Sequence, residues 1–297
     1  MNGKILKGLK GLYTVEAEDG TLYECHTATK VRKSGIMPLA GDIAEFEANN
    51  DKTGFIIGIQ NRKNSFVRPL VANVDVLAIV VAVSEPEPFL YNIDKLTVAA
   101  EAAGVETWIV INKTDVGSPN FLIETYESAG YKCFNVCAAK GNVEKLKEAL
   151  QGKTAIFAGA SGVGKSSLLN AMYPELNVET GGLSVKLMRG KNTTRHTELH
   201  KVSGDTYIGD SPGFTRLEVD KKIEYEEKDT DFKTLISIDK KELKLLFPEM
   251  REFEGECRWR DCSHTKEDGC AVKANVENKK ISFSRYESYL KMFDSLQ

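Results

Sequence analysis

Apolar and polar positions follow three successive rhythms along the 297 residues. Over roughly the first seventy, short β-prone runs alternate with turn signals. Residues 11–15 and 21–25 flank Glu18-Asp19-Gly20, which predicts a hairpin, and further strands are expected at 42–46 and 54–59. Several short strands with little helical periodicity predict a small barrel, of either the OB-like or the SH3-like kind. From about residue 71 the rhythm becomes strand, helix, strand. The run 76–83 is continuously apolar, as in a strand buried on both faces. A helix over 93–103 stops at Gly104 and another over 121–129 stops at Gly130. Strands at 107–111, 132–136, 155–158 and 206–209, with a helix over 142–150, complete the alternation of a doubly wound parallel sheet, whose ligands belong at the carboxyl ends of its strands. Beyond about residue 221 charged helical stretches take over, ending in an amphipathic helix over 283–293. The expected fold is multidomain α/β: a barrel over 1–70, an α/β domain over 71–220 and a helical domain over 221–297.

Composition narrows the class only a little. Hydrophobic residues at 41% and charged residues at 28% are ordinary for a globular protein. No apolar run reaches membrane-spanning length, and the N-terminal stretch lacks the apolar core of a secretory signal. Six cysteines in so long a chain are too few for a disulfide scaffold, so a cytoplasmic protein is expected. The net charge of −3 gives no global case for a nucleic-acid partner. Residues 1–70 carry 10 Lys and Arg against 8 Asp and Glu, a balance of +2. Within them Arg62-Lys63-Asn64-Ser65-Phe66-Val67-Arg68 mixes cations with an aromatic ring, which suits RNA contact and equally a solvated linker.

Two motifs change the picture. Gly159-Ala160-Ser161-Gly162-Val163-Gly164-Lys165-Ser166 fits the phosphate-binding loop G-x-x-x-x-G-K-[ST], with Ser167 and an apolar helix behind it. The glycines let successive backbone N–H groups turn inward on phosphate oxygens, and the helix adds the positive end of its dipole. Lys165 is expected at the β- and γ-phosphates and Ser166 at Mg²⁺. Asn112-Lys113-Thr114-Asp115 fits N-K-x-D at the end of a strand. Asp115 can accept two hydrogens from guanine, an edge adenine lacks, while Lys113 lies along the base and Asn112 braces the loop. Cys137-Ala138-Ala139-Lys140 matches the Ser-Ala-Lys element, with the Ala139 N–H directed at the guanine oxygen. Asp210-Ser211-Pro212-Gly213 fits D-x-x-G, placing Asp210 on Mg²⁺ through water and the Gly213 N–H at the γ-phosphate. Between these lies Gly190-Lys191-Asn192-Thr193-Thr194-Arg195, a loop suited to a first switch. Thr193 or Thr194 completes the Mg²⁺ shell, Thr194 being preferred. In Ras-like proteins the phosphate loop comes first and N-K-x-D late. Here that order is reversed, as in a circularly permuted GTPase. Phe214 follows Gly213, where Ras carries the glutamine that orients water, so hydrolysis by the free protein is expected to be slow.

A third constellation lies near the C-terminus. Cys257, Cys262, His264 and Cys270 supply three thiolates and an imidazole within fourteen residues, the ligand set of a closed, structural zinc site. Cys25, Cys133 and Cys137 are dispersed and read as packing residues.

Taken together, Asn112-Lys113-Thr114-Asp115, the phosphate loop, Thr193-Thr194-Arg195, Asp210-Ser211-Pro212-Gly213 and the Cys₃His cluster resemble the ribosome small-subunit-dependent GTPase family, RsgA, over nearly the whole chain. The resemblance implies an OB barrel and a late-acting assembly or checkpoint factor on the small ribosomal subunit that binds GTP or GDP; a monomer is expected. It also implies binding to that subunit's rRNA, with hydrolysis stimulated there and coupled to release. The family usually carries a histidine where this chain has Asn192. An amide can orient water but cannot serve as a general base near neutral pH, so Asn192 and the nearby His196 both stand as hydrolytic candidates beside Lys165 and Thr194. A GTP-responsive RNA-binding module with negligible turnover is the alternative.

Overall fold

The computed structural model describes residues 1–9, 11–66, 69–178, 197–210 and 238–296. Strands β1 (Asn2–Leu9), β2 (Leu12–Ala17) and β3 (Leu22–Thr27), helix α1 (Thr29–Lys33), and strands β4 (Ile43–Ala48) and β5 (Thr53–Ile59) form the N-terminal part. The strands close a barrel in the order β1-β2-β3-β5-β4, with β1 returning to pair with β4. The β3–β5 pairing is parallel and the others antiparallel, with α1 bridging β3 and β4. That is the OB-like arrangement, and it decides between the two barrels the pattern allowed. Ile5, Val15, Cys25, Ala44, Phe46 and Ile56 fill the interior.

The basic segment after the barrel is partly committed to structure. Arg62 donates from Nε and Nη2 to the two carboxylate oxygens of buried Asp42, at 2.7 and 2.8 Å, and from Nη2 to the Met37 carbonyl at 2.6 Å. Lys63 pairs with Asp75. Phe66 is buried in a short ribbon of β6 (Ser65–Phe66) with β7 (Val71–Ala72). Arg68 lies outside the described residues.

The central sheet contains β8 (Val76–Ala82), β9 (Glu106–Asn112), β10 (Lys132–Asn135), β11 (Thr154–Ala158), β12 (Leu199–Ser203) and β13 (Thr206–Asp210), in the order β10-β9-β8-β11-β13-β12. All neighbours pair in parallel except β12, an antiparallel edge strand that the sequence pattern does not reveal. Successive residues of β8 enter opposite cores: Leu77, Ile79 and Val81 face one, Val76, Ala78 and Val80 the other. Burial on both sides is why this strand reads as an unbroken apolar run. Helices α2 (Leu90–Ala102), α3 (Asn120–Glu127), α4 (Glu144–Ala149) and α5 (Lys165–Met172) alternate with these strands.

The C-terminal part is helical: α6 (Pro248–Arg251), α7 (Ala271–Glu277) and α8 (Phe283–Ser295) enclose Leu243, Phe247, Met250, Tyr289 and Met292. Val98 of α2 joins that cluster, so this part packs directly on the central domain. No helix among the described residues is long and apolar enough to cross a membrane.

Candidate nucleotide site and metal cluster

Strands β8 and β11 are neighbours, and the chain continues outward on either side of them, through β9 and β10 in one direction and through β13 in the other. The reversal of strand order opens a crevice at their carboxyl ends, where ligands of such sheets bind. The loop 159–164 leaves β11 there and enters α5. Gly159 has φ +140°, and a Cβ on it would sit 2.2 Å from the Val80 carbonyl oxygen. Gly164 has φ +91°, and its Cβ would sit 2.5 Å from the Asn112 amide nitrogen. Both positions therefore require glycine, by backbone conformation and by space. Ala160, Ser161, Gly162 and Ser167 are exposed, whereas Val163 and Ser166 are buried. Lys165 folds back over the loop, its Nζ donating to the carbonyls of Gly159 at 2.7 Å and Ala160 at 2.9 Å.

Asn112 ends β9 and is buried. Its amide donates to the Val163 carbonyl at 3.0 Å, and its oxygen accepts from the Ala138 backbone N–H at 3.1 Å. One side chain thus ties the phosphate loop, the N-K-x-D loop and the short 3₁₀ turn Ala138–Lys140 together. Thr114 adds a bond to the Val136 carbonyl at 3.0 Å. Lys113, at φ +61°, bonds the Glu85 carbonyl, while Asp115, Ala139 and Lys140 are exposed beside it. The structure therefore brings the sequence-predicted base and phosphate loops to one end of the sheet.

Asp210 closes β13 beside Phe157 of β11, at the same sheet end. Asn192, Thr193, Thr194, His196, Gly213 and Phe214 lie outside the described residues.

The cysteine cluster assembles as its spacing predicts. The ligand atoms of Cys257, Cys262, His264 and Cys270 all lie within 4.8 Å of one another. His264 Nδ1 is 3.5 Å from Cys257 Sγ and 3.4 Å from Cys270 Sγ, and those two sulfurs are 4.0 Å apart. Tetrahedral ligands bound at about 2.3 Å (sulfur) and about 2.0–2.1 Å (nitrogen) stand roughly 3.5–3.8 Å apart, so the four groups fit one metal ion. Backbone N–H groups of Ala271, Lys273 and His264 point at Cys257, Cys270 and Cys262 respectively, which favours thiolates. Burial first, then the neighbouring Cys270 and Cys257 thiols, push the Cys262 thiol up to about 12, and a bound cation would reverse that shift. Tyr286 and Tyr289 of α8 donate to the His264 and Ser263 carbonyls at 2.7 and 2.5 Å, fastening the cluster to the last helix.

Sequence reasoning missed two ion clusters, each built on a buried carboxylate, away from these loops. Arg285, Asp94 and Glu249 form one between α8, α2 and α6. Glu16, Tyr207 and Lys201 form the other between the barrel and the sheet edge.

Known proteins place the whole arrangement. Residues 59–220 match the RsgA GTPase family model, and residues 2–56 match the RsgA N-terminal domain. A protein of Caldanaerobacter subterraneus subsp. tengcongensis, named small ribosomal subunit biogenesis GTPase RsgA, is 42% identical over 98% of this chain and 94% of its own length. A protein of the same name from Geobacillus is 38% identical over 99% of this chain and 97% of its own. Among solved structures, YjeQ from Thermotoga maritima superposes with TM-score 0.78 at 36% identity, covering 99% of this chain and 97% of that one. YloQ, described as a circularly permuted GTPase, gives 0.76 at 32% identity, covering 99% and 93%.

Proposed function

The chain belongs to the RsgA GTPase family, and from that premise we propose that it hydrolyses GTP to GDP and phosphate during biogenesis of the small ribosomal subunit. The observation that carries the reading is Asn112, which joins three nucleotide-binding loops in a single buried side chain. In this reading Asp115, Lys113, Ala138, Ala139 and Lys140 hold guanine, and residues 159–167 hold the phosphates. Domain limits at 70 and 220, a cytoplasmic location and a monomeric state complete it.

Lys165 would exchange its loop carbonyls for phosphate oxygens, and phosphoryl transfer then depends on positioning and charge stabilisation. Ser166, Thr194 and Asp210 offer hard oxygen donors of the kind that suits magnesium, which neutralises charge on the transferring group when bound. Gly213 would sense the γ-phosphate. Asn192 or His196 would orient water, with no glutamine after Gly213 to do so. The Cys₃His cluster fits zinc in a structural role, since its four protein ligands leave no open position. The barrel and the small subunit's rRNA are partners in this scheme, with hydrolysis raised on the subunit and coupled to release.

The test is GTP turnover with and without isolated small subunits. Slow turnover alone and a rise of roughly 10³–10⁵-fold on the subunit are expected, the scale a partner can supply. Turnover unchanged by subunits would defeat the partner assignment. Negligible turnover in both conditions, with GTP-dependent RNA binding, would establish the alternative. Separately, Asp115→Asn swaps a double acceptor for an acceptor and a donor. It should lose GTP affinity by up to about 10⁴-fold and gain xanthosine triphosphate affinity, read by competition binding.

A further inference from the structure

The edge hairpin β12–β13 occupies a special place in the chain. It follows the segment 190–195 read as the first switch, and its last residue is Asp210, the first of D-x-x-G. The whole span between the two nucleotide-sensing segments is therefore this ribbon and its approach. Among the described residues, β12 has a strand partner on one side only. The ribbon is joined to the sheet through the β13–β11 pairing, and side-chain contacts from outside the sheet add to that hold.

Those contacts come from the barrel. Lys4 and Glu16 are direct cross-strand partners on β1 and β2, and Lys201 and Tyr207 are direct cross-strand partners on β12 and β13. The two pairs meet. Tyr207 donates its hydroxyl to Glu16 Oε2 at 2.6 Å, and Lys201 donates to Glu16 Oε1 at 2.9 Å. Lys4 lies 3.9 Å above the Tyr207 ring and bonds Thr154 Oγ1 at 3.0 Å, at the start of the strand that enters the phosphate loop. Glu16 is only 7% exposed. A buried carboxylate adds little net stability over an apolar residue of its size, and in some proteins such groups serve instead to select one partner geometry over others. Glu16 gives a geometry to the ribbon three residues before Asp210.

We propose that Glu16 is a positioning residue for the nucleotide reaction, setting the β12–β13 hairpin through Tyr207 and Lys201 and so linking the barrel to the segments that sense the γ-phosphate. The proposal rests on the GTPase reading above. Its consequence is reciprocal: if nucleotide state shifts the hairpin, it must shift the barrel, and a ligand on the barrel must bias the hairpin.

The test has two independent measurements. The first is single-turnover hydrolysis, with GTP affinity, in wild-type protein, Glu16→Ala, Glu16→Gln and Glu16→Ala/Tyr207→Phe. Glu16→Ala should lower the rate about tenfold, a coupling loss within the usual range, while GTP affinity stays within about twofold. Glu16→Gln keeps an acceptor for Tyr207 and should recover most of the rate. The double variant should be no worse than Glu16→Ala, because both changes remove one interaction. A wild-type rate in Glu16→Ala, or rate and affinity falling together, would overturn the proposal. The second is hydrogen exchange of residues 2–17 and 199–210 with GDP or a non-hydrolysable GTP analogue bound. Both segments should respond to the nucleotide in wild-type protein, and Glu16→Ala should silence the barrel response alone. A barrel indifferent to nucleotide in wild-type protein would overturn the proposal whatever the turnover. If exchange behaves as expected but no hydrolysis occurs, the enzyme reading fails and the joint stands.

Discussion

The central domain is gripped at two places by the same three-part device, a tyrosine and a cation sharing one buried carboxylate. On the C-terminal side, Asp94 accepts from Tyr126 at 3.0 Å and from Arg285 at 2.8 Å. On the barrel side, Glu16 accepts from Tyr207 at 2.6 Å and from Lys201 at 2.9 Å. The surroundings differ. The Arg285 side chain is 1% exposed, also bonds both oxygens of Glu249 and Thr97 Oγ1, and lies 4.8 Å from the Phe247 ring centre. Burial works against the Arg285 charge, but Glu249 and Asp94 outweigh it and hold the guanidinium well above its ordinary pKa. The Lys201 side chain is 37% exposed and contributes a single ammonium. A planar, multiply bonded guanidinium in a dry cluster fixes one geometry, whereas a single lysine ammonium at a wet edge adds less to the geometry that Glu16 and Tyr207 set. The C-terminal dock is the drier and the more multiply bonded of the two.

The largest effect should come from metal loss, because the cluster anchors the helix that carries Arg285. Cys262→Ser, or a strong chelator, should release about one zinc per chain, read by metal analysis. It should destabilise the C-terminal part by on the order of several kcal/mol, since binding free energy here is folding free energy. GTP affinity should survive, because among the described residues the ligands touch none of the nucleotide loops. Full zinc occupancy in the variant would show a different ligand set.

Next in size is Arg285→Ala. It leaves Asp94 and Glu249 buried without their cation, a change that typically costs about 3–5 kcal/mol. Urea denaturation should show that loss and a separate early transition for the C-terminal helices. Substitution at Lys201, which is itself 37% exposed and whose carboxylate partner keeps Tyr207, should cost visibly less.

The contrast between the docks also marks where the sequence was legible. The loops after β9, β10 and β11 announce themselves because their chemistry is local: glycines, a lysine and a carboxylate at fixed spacing at strand ends. Asn112 was expected to brace its own loop, but its bonds to Val163 and Ala138 depend on strand order, which spacing does not reveal. Strand β12 escaped because only Leu199 of its five residues is fully buried, too few positions for an alternation. Strand β1 escaped because Ile5 enters the barrel core while Leu6 packs against the sheet, so neither face reads clean. Arg285 and Glu16 look like solvent-facing charges on an amphipathic helix and a half-buried strand. Their partners lie 191 residues away in each case, Asp94 for one and Tyr207 for the other. Ion pairs closed over such distances leave no mark on local pattern.

A smaller effect is expected at the barrel dock. Burial, with the Glu16 bond adding to it, pushes the Tyr207 phenol well above its ordinary pKa, so it remains a donor at any physiological pH. Tyr207→Phe removes that donor and leaves Glu16 to Lys201 alone. The cost should be about 1–2 kcal/mol in urea denaturation, the penalty for a buried acceptor that loses one of two partners. A loss as large as that of Arg285→Ala would mean the barrel dock is as rigid as the other, and the contrast drawn between them would fail.

The smallest effect sharpens the comparison from the outside. Lys7 pairs with Glu198 at 3.2 Å across the same barrel interface, but their side chains are 50% and 37% exposed. Solvent screens the attraction, and holding two long side chains in one geometry costs entropy, so exposed pairs of this kind contribute about 0–1 kcal/mol and many contribute nothing measurable. Lys7→Ala should therefore leave the denaturation midpoint unchanged within error. It should also leave the hydrogen-exchange response of the barrel to nucleotide intact, because the pair lies outside the Glu16–Tyr207 contact. If Lys7→Ala silenced that response as Glu16→Ala should, the coupling would belong to the interface as a whole and not to the carboxylate at its centre.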